Sequence, residues 1–246
     1  MIFNQQTIQK MVLLGLKGMI SAYEAQQQQP EAKKLSFDQR FGMLIDAEVV
    51  SRNNKRIERL LKGAKFRYPD ACIEDVIFKN QRNISRDYFI EFSNCTWIEN
   101  KQAILITGAT GVGKSWLACA LGDQACRNQL STVYLSSTSL LEQMRTALVQ
   151  GTMNKLRRTL TQTKLLIIDD FGISPIDPEL GASILEIIDK QSVNGGLLIT
   201  SQIPPEQWYD LFNNPTIADA VLDRIIHRAN RIELKGESMR KKIKQK

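Results

Sequence analysis

Residues 104–115 read Ile104-Leu105-Ile106-Thr107-Gly108-Ala109-Thr110-Gly111-Val112-Gly113-Lys114-Ser115, a short apolar strand pattern running into a glycine-rich loop that ends in Lys-Ser. Gly108 to Ser115 fits the phosphate-loop spacing GxxxxGK[ST], and the apolar segment from Trp116 to Leu121 continues as a helix. Strand, loop and helix therefore follow one another in the order that a phosphate cradle needs. Glycines let the backbone curl so that successive N–H groups point inward at an anion, at the positive end of the helix that follows. Lys114 is expected to reach the β and γ phosphates and the Ser115 hydroxyl to coordinate Mg2+. The expected nucleotide-binding stretch is Gly108, Ala109, Thr110, Gly111, Val112, Gly113, Lys114, Ser115 and Trp116.

Downstream, Leu165-Leu166-Ile167-Ile168-Asp169-Asp170 is a buried-strand pattern ending in two carboxylates. A strand of this kind places Asp169 at the carboxyl edge of a parallel sheet, where it can hold the shell of a Mg2+ ion. Asp170 is then placed to orient or deprotonate an attacking water, since phosphoryl transfer depends on positioning and charge stabilisation. Leu197-Leu198-Ile199-Thr200-Ser201-Gln202 ends a further apolar run in hydroxyl and amide groups able to sense a γ-phosphate or the water. A helix from Asp219 to Arg228 carries Arg224 and Arg228, and Arg240 lies in the tail; spacing does not choose among these arginines. Strands are expected at 103–107, 132–135, 165–169, 197–200 and 231–234 with helices between them, the alternation of a parallel α/β sheet.

Ahead of this core the pattern is helical. Ile8, Met11, Val12, Leu16, Met19, Ile20 and Tyr23 recur on one stripe, which predicts a single amphipathic helix from Thr7 to about Ala25. Gln26 to Pro30 interrupts it. Ser36 and Gln39 have the spacing of a capping box and open a second helix. Arg52, Lys55, Arg56, Arg59, Lys62 and Lys65 then fall three or four apart, so several share one face; a solvated face and a phosphate-binding face are both consistent with that pattern. Tyr68-Pro69-Asp70 marks the expected boundary between a helical domain, 1–70, and an α/β domain, 71–246.

The 246 residues are 43% hydrophobic and 24% charged, a composition that excludes disorder, collagen and a disulfide scaffold. The net charge of +7 is uneven. Residues 1–67 hold twelve basic side chains against six acidic, and residues 235–246 hold six against one, leaving the middle mildly acidic. Basic ends favour a polyanion partner through counterion release. Cys72, Cys95, Cys119 and Cys126 form no CxxC pair and are expected to be small buried or half-buried thiols. Nothing resembles a membrane span or cleavable leader, so a soluble cytoplasmic protein is expected.

GATGVGKSWLACALG, LLIIDDFG, LLITSQ, PTIADAVLDRIIHRANRIELKGESMRK and RNNKRIERLLKGAKFR together resemble the IstB family, the ATPase helpers of insertion-sequence transposases, over nearly the whole chain. That family is similar to the DnaC-like helicase loaders among AAA+ ATPases. The resemblance implies a P-loop three-layer sandwich with a five-stranded parallel sheet of order 5-1-4-3-2 behind a small helical domain. It also implies an ATP- and Mg2+-dependent homo-oligomer on duplex DNA that recruits and stimulates a transposase; low sequence specificity is expected because phosphate contacts position a protein without reading bases. By motif, Gly108 to Ser115 is Walker A, Asp169 and Asp170 are Walker B, and Ser201 lies in the sensor 1 segment beside Thr200. Arg224 matches an arginine finger and Arg240 matches sensor 2. The usual Walker B Glu is replaced by Asp170, one methylene shorter, which implies slow hydrolysis because small misplacements of the water are costly. Helicase loading and a nucleotide-dependent adaptor that does not hydrolyse ATP are the alternatives that share these motifs.

Overall fold

The computed structural model describes residues 2–78, 82–226 and 229–239, within which the chain divides into two units, Met1–Arg59 and Leu60–Lys246. The first unit is helical. α1 (Ile2–Leu13) and α2 (Lys17–Gln28) replace the single helix expected over 7–25. The break is conformational: Gly15 has φ +71°, its N–H bonds to the Val12 carbonyl and the Leu16 N–H bonds to the Met11 carbonyl, a glycine C-cap that ends α1. Apolar spacing alone continues through such a cap, because the stripe resumes in α2.

The Ser36–Gln39 capping box forms in both directions, Ser36 N–H to Gln39 Oε1 at 3.0 Å and Gln39 N–H to Ser36 Oγ at 3.3 Å. It opens α3 (Phe37–Ala64), one helix of 28 residues that takes in both the apolar and the basic patterns. Glu48 on α3 accepts from the Gly18 and Met19 N–H groups at the start of α2, at 2.8 and 3.1 Å, satisfying donors that a helix start leaves open. The Arg52 guanidinium, hydrogen-bonded to the same carboxyl, holds Glu48 below the usual carboxylate range against the opposing effect of burial.

The second unit begins within α3 and continues through α4 (Arg86–Ser93) and α5 (Thr96–Glu99) into the α/β core. Its sheet consists of β1 (Ala103–Gly108), β2 (Thr132–Ser136), β3 (Leu165–Phe171), β4 (Gly196–Ser201) and β5 (Ala229–Leu234). The order is β2-β3-β4-β1-β5, all parallel, which is the expected 5-1-4-3-2 read from the other edge. Side chains alternate across it. Leu165 and Ile167 face a layer containing α4, α5 and α6 (Lys114–Arg127), with Phe89, Trp97, Leu117 and Leu121 in that core. Leu166 and Ile168 face the other layer, built from α7 (Ser137–Val149), α8 (Met153–Thr161), α9 (Pro178–Asn194) and α10 (Pro215–Ile226), with Met144, Ile184, Val221 and Trp208. Strands covered on both faces explain the unbroken apolar runs of the sequence. No helix among the described residues is long and apolar enough to cross a membrane.

Candidate nucleotide site

Because β4 lies between β1 and β3, the loop after β1 and the end of β3 flank the residue that follows β4. A cavity of about 510 Å³ opens there, lined by Thr110, Gly111, Gly113, Lys114, Ser115 and Trp116 from the loop and α6, by Asp170, and by Gln202. That volume is within the usual range of small-molecule sites. Tyr68, Asp75, Ile77, Arg82 and Met239 complete the wall.

The loop has the backbone that its glycines predicted: Gly111 and Gly113 sit at φ +85° and +99°, where a side chain would be strained. A Cβ on Gly111 would also lie 2.3 Å from Ser238 Oγ, so the segment after β5 folds onto the loop, and the Met239 N–H bonds to the Gly111 carbonyl at 2.8 Å. Lys114 Nζ donates to the Gly108 and Ala109 carbonyls at 2.8 and 3.0 Å, with its stem buried. Arg82, itself buried, donates to the Val112 carbonyl at 2.9 Å and the Ile77 carbonyl at 3.0 Å, tying the loop to the apolar wall. Burial pushes the Arg82 guanidinium pKa down, although guanidinium remains charged in any ordinary buffer.

Asp169 is fully buried, and each of its oxygens accepts a hydroxyl: Tyr134 Oη to Oδ2 and Thr200 Oγ1 to Oδ1, both at 2.5 Å. Burial and the Asp169 charge together push the Tyr134 phenol far above its ordinary value, so it acts as a donor. Thr200 Oγ1 also accepts from the Asp170 N–H at 2.8 Å. β3 shifts register against β4 between Ile168 and Phe171, and Asp170 adopts φ +56°, a left-handed conformation that Asp tolerates better than most residues. The irregularity turns two successive residues to different uses: Asp169 stays in the core and Asp170 faces the cavity.

Several expected site residues are not brought to this cavity. The Ser201 hydroxyl is committed to the fold, donating to the Phe171 carbonyl at 2.7 Å and accepting from the Trp208 indole and the Ile203 N–H at 3.2 Å each. Gln202 is the group after β4 that reaches the cavity, with Thr110 Oγ1 donating to its Oε1 at 2.7 Å. Arg224 on α10 donates to Asp189 Oδ1 at 2.5 Å and to the Ala220 carbonyl, and it is absent from the cavity lining. Arg228, Arg240 and the lysines that follow Arg240 lie outside the described residues. Arg52, Lys55, Arg56, Arg59, Lys62 and Lys65 are all exposed, Arg52 within an ion pair to Glu48. Arg67 ends the basic segment quoted for the resemblance and Tyr68 marks the expected boundary, but neither is expected at this site from the sequence; with Arg82 and Tyr134, they are placed here by proximity in the folded chain.

The residues present fit a nucleoside triphosphate with Mg2+. The cavity is lined by Lys114 and the glycine-rich loop at the start of α6, which suit phosphates, and by the aromatic and aliphatic side chains of Tyr68, Ile77 and Trp116, which suit a base. Ser115 and Asp169 would hold the metal.

Residues 9–246 match the family described as IstB-like ATP binding protein. An insertion sequence ATP-binding protein of Sinorhizobium fredii is 37% identical over 240 residues, 98% of each chain. Another, from an insertion sequence of Pseudomonas fluorescens, is 39% identical over 201 residues, 82% of this chain and 87% of that one. Among solved structures, DnaI aligns with a TM-score of 0.59 at 19% identity, covering 72% of this chain and 94% of its own. The DnaC helicase loader gives 0.56 at 19% identity, covering 69% and 99%. AMPPCP-bound DnaA from Aquifex aeolicus gives 0.58 at 19% identity, covering 71% and 53%. At such identities the likeness establishes the fold, that of AAA+ P-loop domains.

Proposed function

The chain belongs to the IstB-like ATP-binding proteins of insertion sequences, and from that premise we propose that it hydrolyses ATP, assembles on duplex DNA and recruits a transposase. The observation that carries this reading is the convergence of Lys114, Ser115 and Asp170 on one cavity, with Asp169 buried directly behind. In the proposed site the loop N–H groups and Lys114 bind and orient the phosphates. Mg2+ held through Ser115 and Asp169 supplies charge neutralisation when bound. Asp170 orients the attacking water and takes its proton, slowly because the aspartate arm is short; a turnover below about 10 s⁻¹, the enzyme median, is expected. Gln202 faces the same space and is the better candidate than Ser201 for sensing the γ-phosphate.

Two surfaces support the assembly part of the reading. Arg224 is held away from its own cavity, as suits an arginine finger that completes a neighbouring subunit's site. Phe37, Phe41, Ile45 and Val49 recur every fourth residue along α3 and are all exposed, Phe37 by 77%, an apolar stripe suited to a second copy. The basic residues farther along α3 suit duplex phosphates, which position a protein without reading bases.

The test is binding of Asp170→Asn protein to matched duplex and single-stranded DNA, with and without ATP and Mg2+, followed by light scattering. Cooperative, ATP-dependent assembly on duplex, weakening steeply with salt, is expected. A single-strand preference would move the assignment to helicase loading. No phosphate release by the wild-type oligomer on DNA would leave a nucleotide-binding adaptor.

A further inference from the structure

The chain leaves α3 at Ala64, turns at Lys65 with φ +56°, and places three consecutive side chains around the end of β3. The Phe66 ring packs against Gly122 and edge-on to Tyr134, at 6.2 Å between ring centroids. Tyr68 lines the nucleotide cavity. Between them, one nitrogen of Arg67 stands 3.4 Å from Asp170 Oδ2 and 3.8 Å from Asp169 Oδ2.

Two adjacent carboxylates at a strand end, one of them fully buried, repel each other unless a cation stands near. Tyr134 and Thr200 each give one hydroxyl hydrogen bond to Asp169 but bring no charge. Arg67 brings it. Partial burial opposes the guanidinium charge, and the adjacent Asp169 and Asp170 carboxylates are among the groups that offset this and raise its pKa. The contact is loose, longer than a strong charge-assisted hydrogen bond, and the side chain is 46% exposed. Such a group can be displaced into water at small cost.

We propose that Arg67 is a positioning residue for the Walker B carboxylates: its guanidinium supplies the positive charge at Asp169 and Asp170 when no divalent cation is present, and it competes with that cation for Asp169. The inference rests on the ATP and Mg2+ reading above and adds a cation of the chain's own to the same site. Its consequence is a threshold. Nucleotide binding that depends on Mg2+ has to overcome the resident charge, while Arg67 keeps Asp170 in place for the water.

The experiment titrates Mg2+ into wild-type, Arg67→Ala and Arg67→Lys protein holding a fluorescent, non-hydrolysable ATP analogue, and reads the half-saturating Mg2+ concentration. Removing a charge less than 4 Å away should lower that midpoint by about tenfold in Arg67→Ala, on the scale of a partly screened charge pair. Arg67→Lys should stay near wild type. A purely structural role for Arg67 would weaken analogue binding equally at every Mg2+ concentration, and an unshifted midpoint overturns the inference alone. If wild-type binding shows no Mg2+ dependence, the metal-nucleotide reading falls as well.

Discussion

At the scale of single residues, the site is built by pairing unlike neighbours. Asp169 and Asp170 are adjacent and chemically identical, yet one is buried under two hydroxyl donors and the other faces the cavity from a left-handed backbone. The cysteines show the same dependence on surroundings. Burial pushes the thiols of Cys95, Cys119 and Cys126 up to about 11, while Cys72 is half-buried and is raised by its hydrogen bond to Asp75. The folded state thus disfavours the three thiolates, whereas an unfolded chain ionises near 9.0. The stability this represents is fully present below pH 9 and is lost as the pH climbs through about 11. Melting temperature should fall over that interval, and Cys119→Ala should flatten the fall. In native protein at pH 8, iodoacetamide should spare these three thiols; rapid labelling of any of them would contradict their burial.

At the scale of elements, close approach decides more than propensity. α6 packs over β3 at Gly122, where an added Cβ would stand 2.5 Å from the Phe66 ring and 2.8 Å from Ile167 Cδ1. Gly122→Ala should destabilise the second unit by about 1–3 kcal/mol, as overpacking does, measured by urea unfolding. Because Phe66 precedes Arg67, a displaced ring would carry Arg67 off the two carboxylates, and the same change should lower the half-saturating Mg2+ concentration for nucleotide binding, as Arg67→Ala does; unchanged stability would mean that the ring has room to move. The capping box at Ser36 and the phosphate loop are both legible in the amino-acid sequence, since each is a local bond pattern written in adjacent residues. The end of α1 is not: Gly15 stops a helix whose apolar stripe runs on in α2, and periodicity does not register a turn that keeps the stripe in phase.

At the scale of the whole molecule, the proposed activity depends on residues that do not share a cavity. Arg224 sits with Asp189 on the α9–α10 surface. As a finger acting in trans, Arg224→Ala should bind nucleotide normally and lose hydrolysis by about 10³-fold, the lower end of what such arginines contribute. Mixing it with Lys114→Ala protein should restore part of the activity, because each variant supplies what the other lacks at a shared boundary. A normal rate in Arg224→Ala alone would remove it from the mechanism. Phosphate release from the mixtures is the readout.

Local order along the chain is enough to specify the phosphate loop, the carboxylate pair after an apolar strand, the alternation that makes a parallel sheet, and the helical character of the first sixty residues. Each of these is a relation among near neighbours, imposed by backbone periodicity or by a turn that few residues allow. Folding was needed to bring Arg67 to Asp170 across 103 residues and Tyr134 to Asp169 across 35, and to send Gln202 rather than Ser201 into the cavity. Tyr134 meets Asp169 because β2 pairs with β3, and Gln202 reaches the cavity because β4 lies between β1 and β3, beside a register shift at the end of β3. None of these leaves a mark in local spacing, because strand order is set by how whole layers bury their apolar faces.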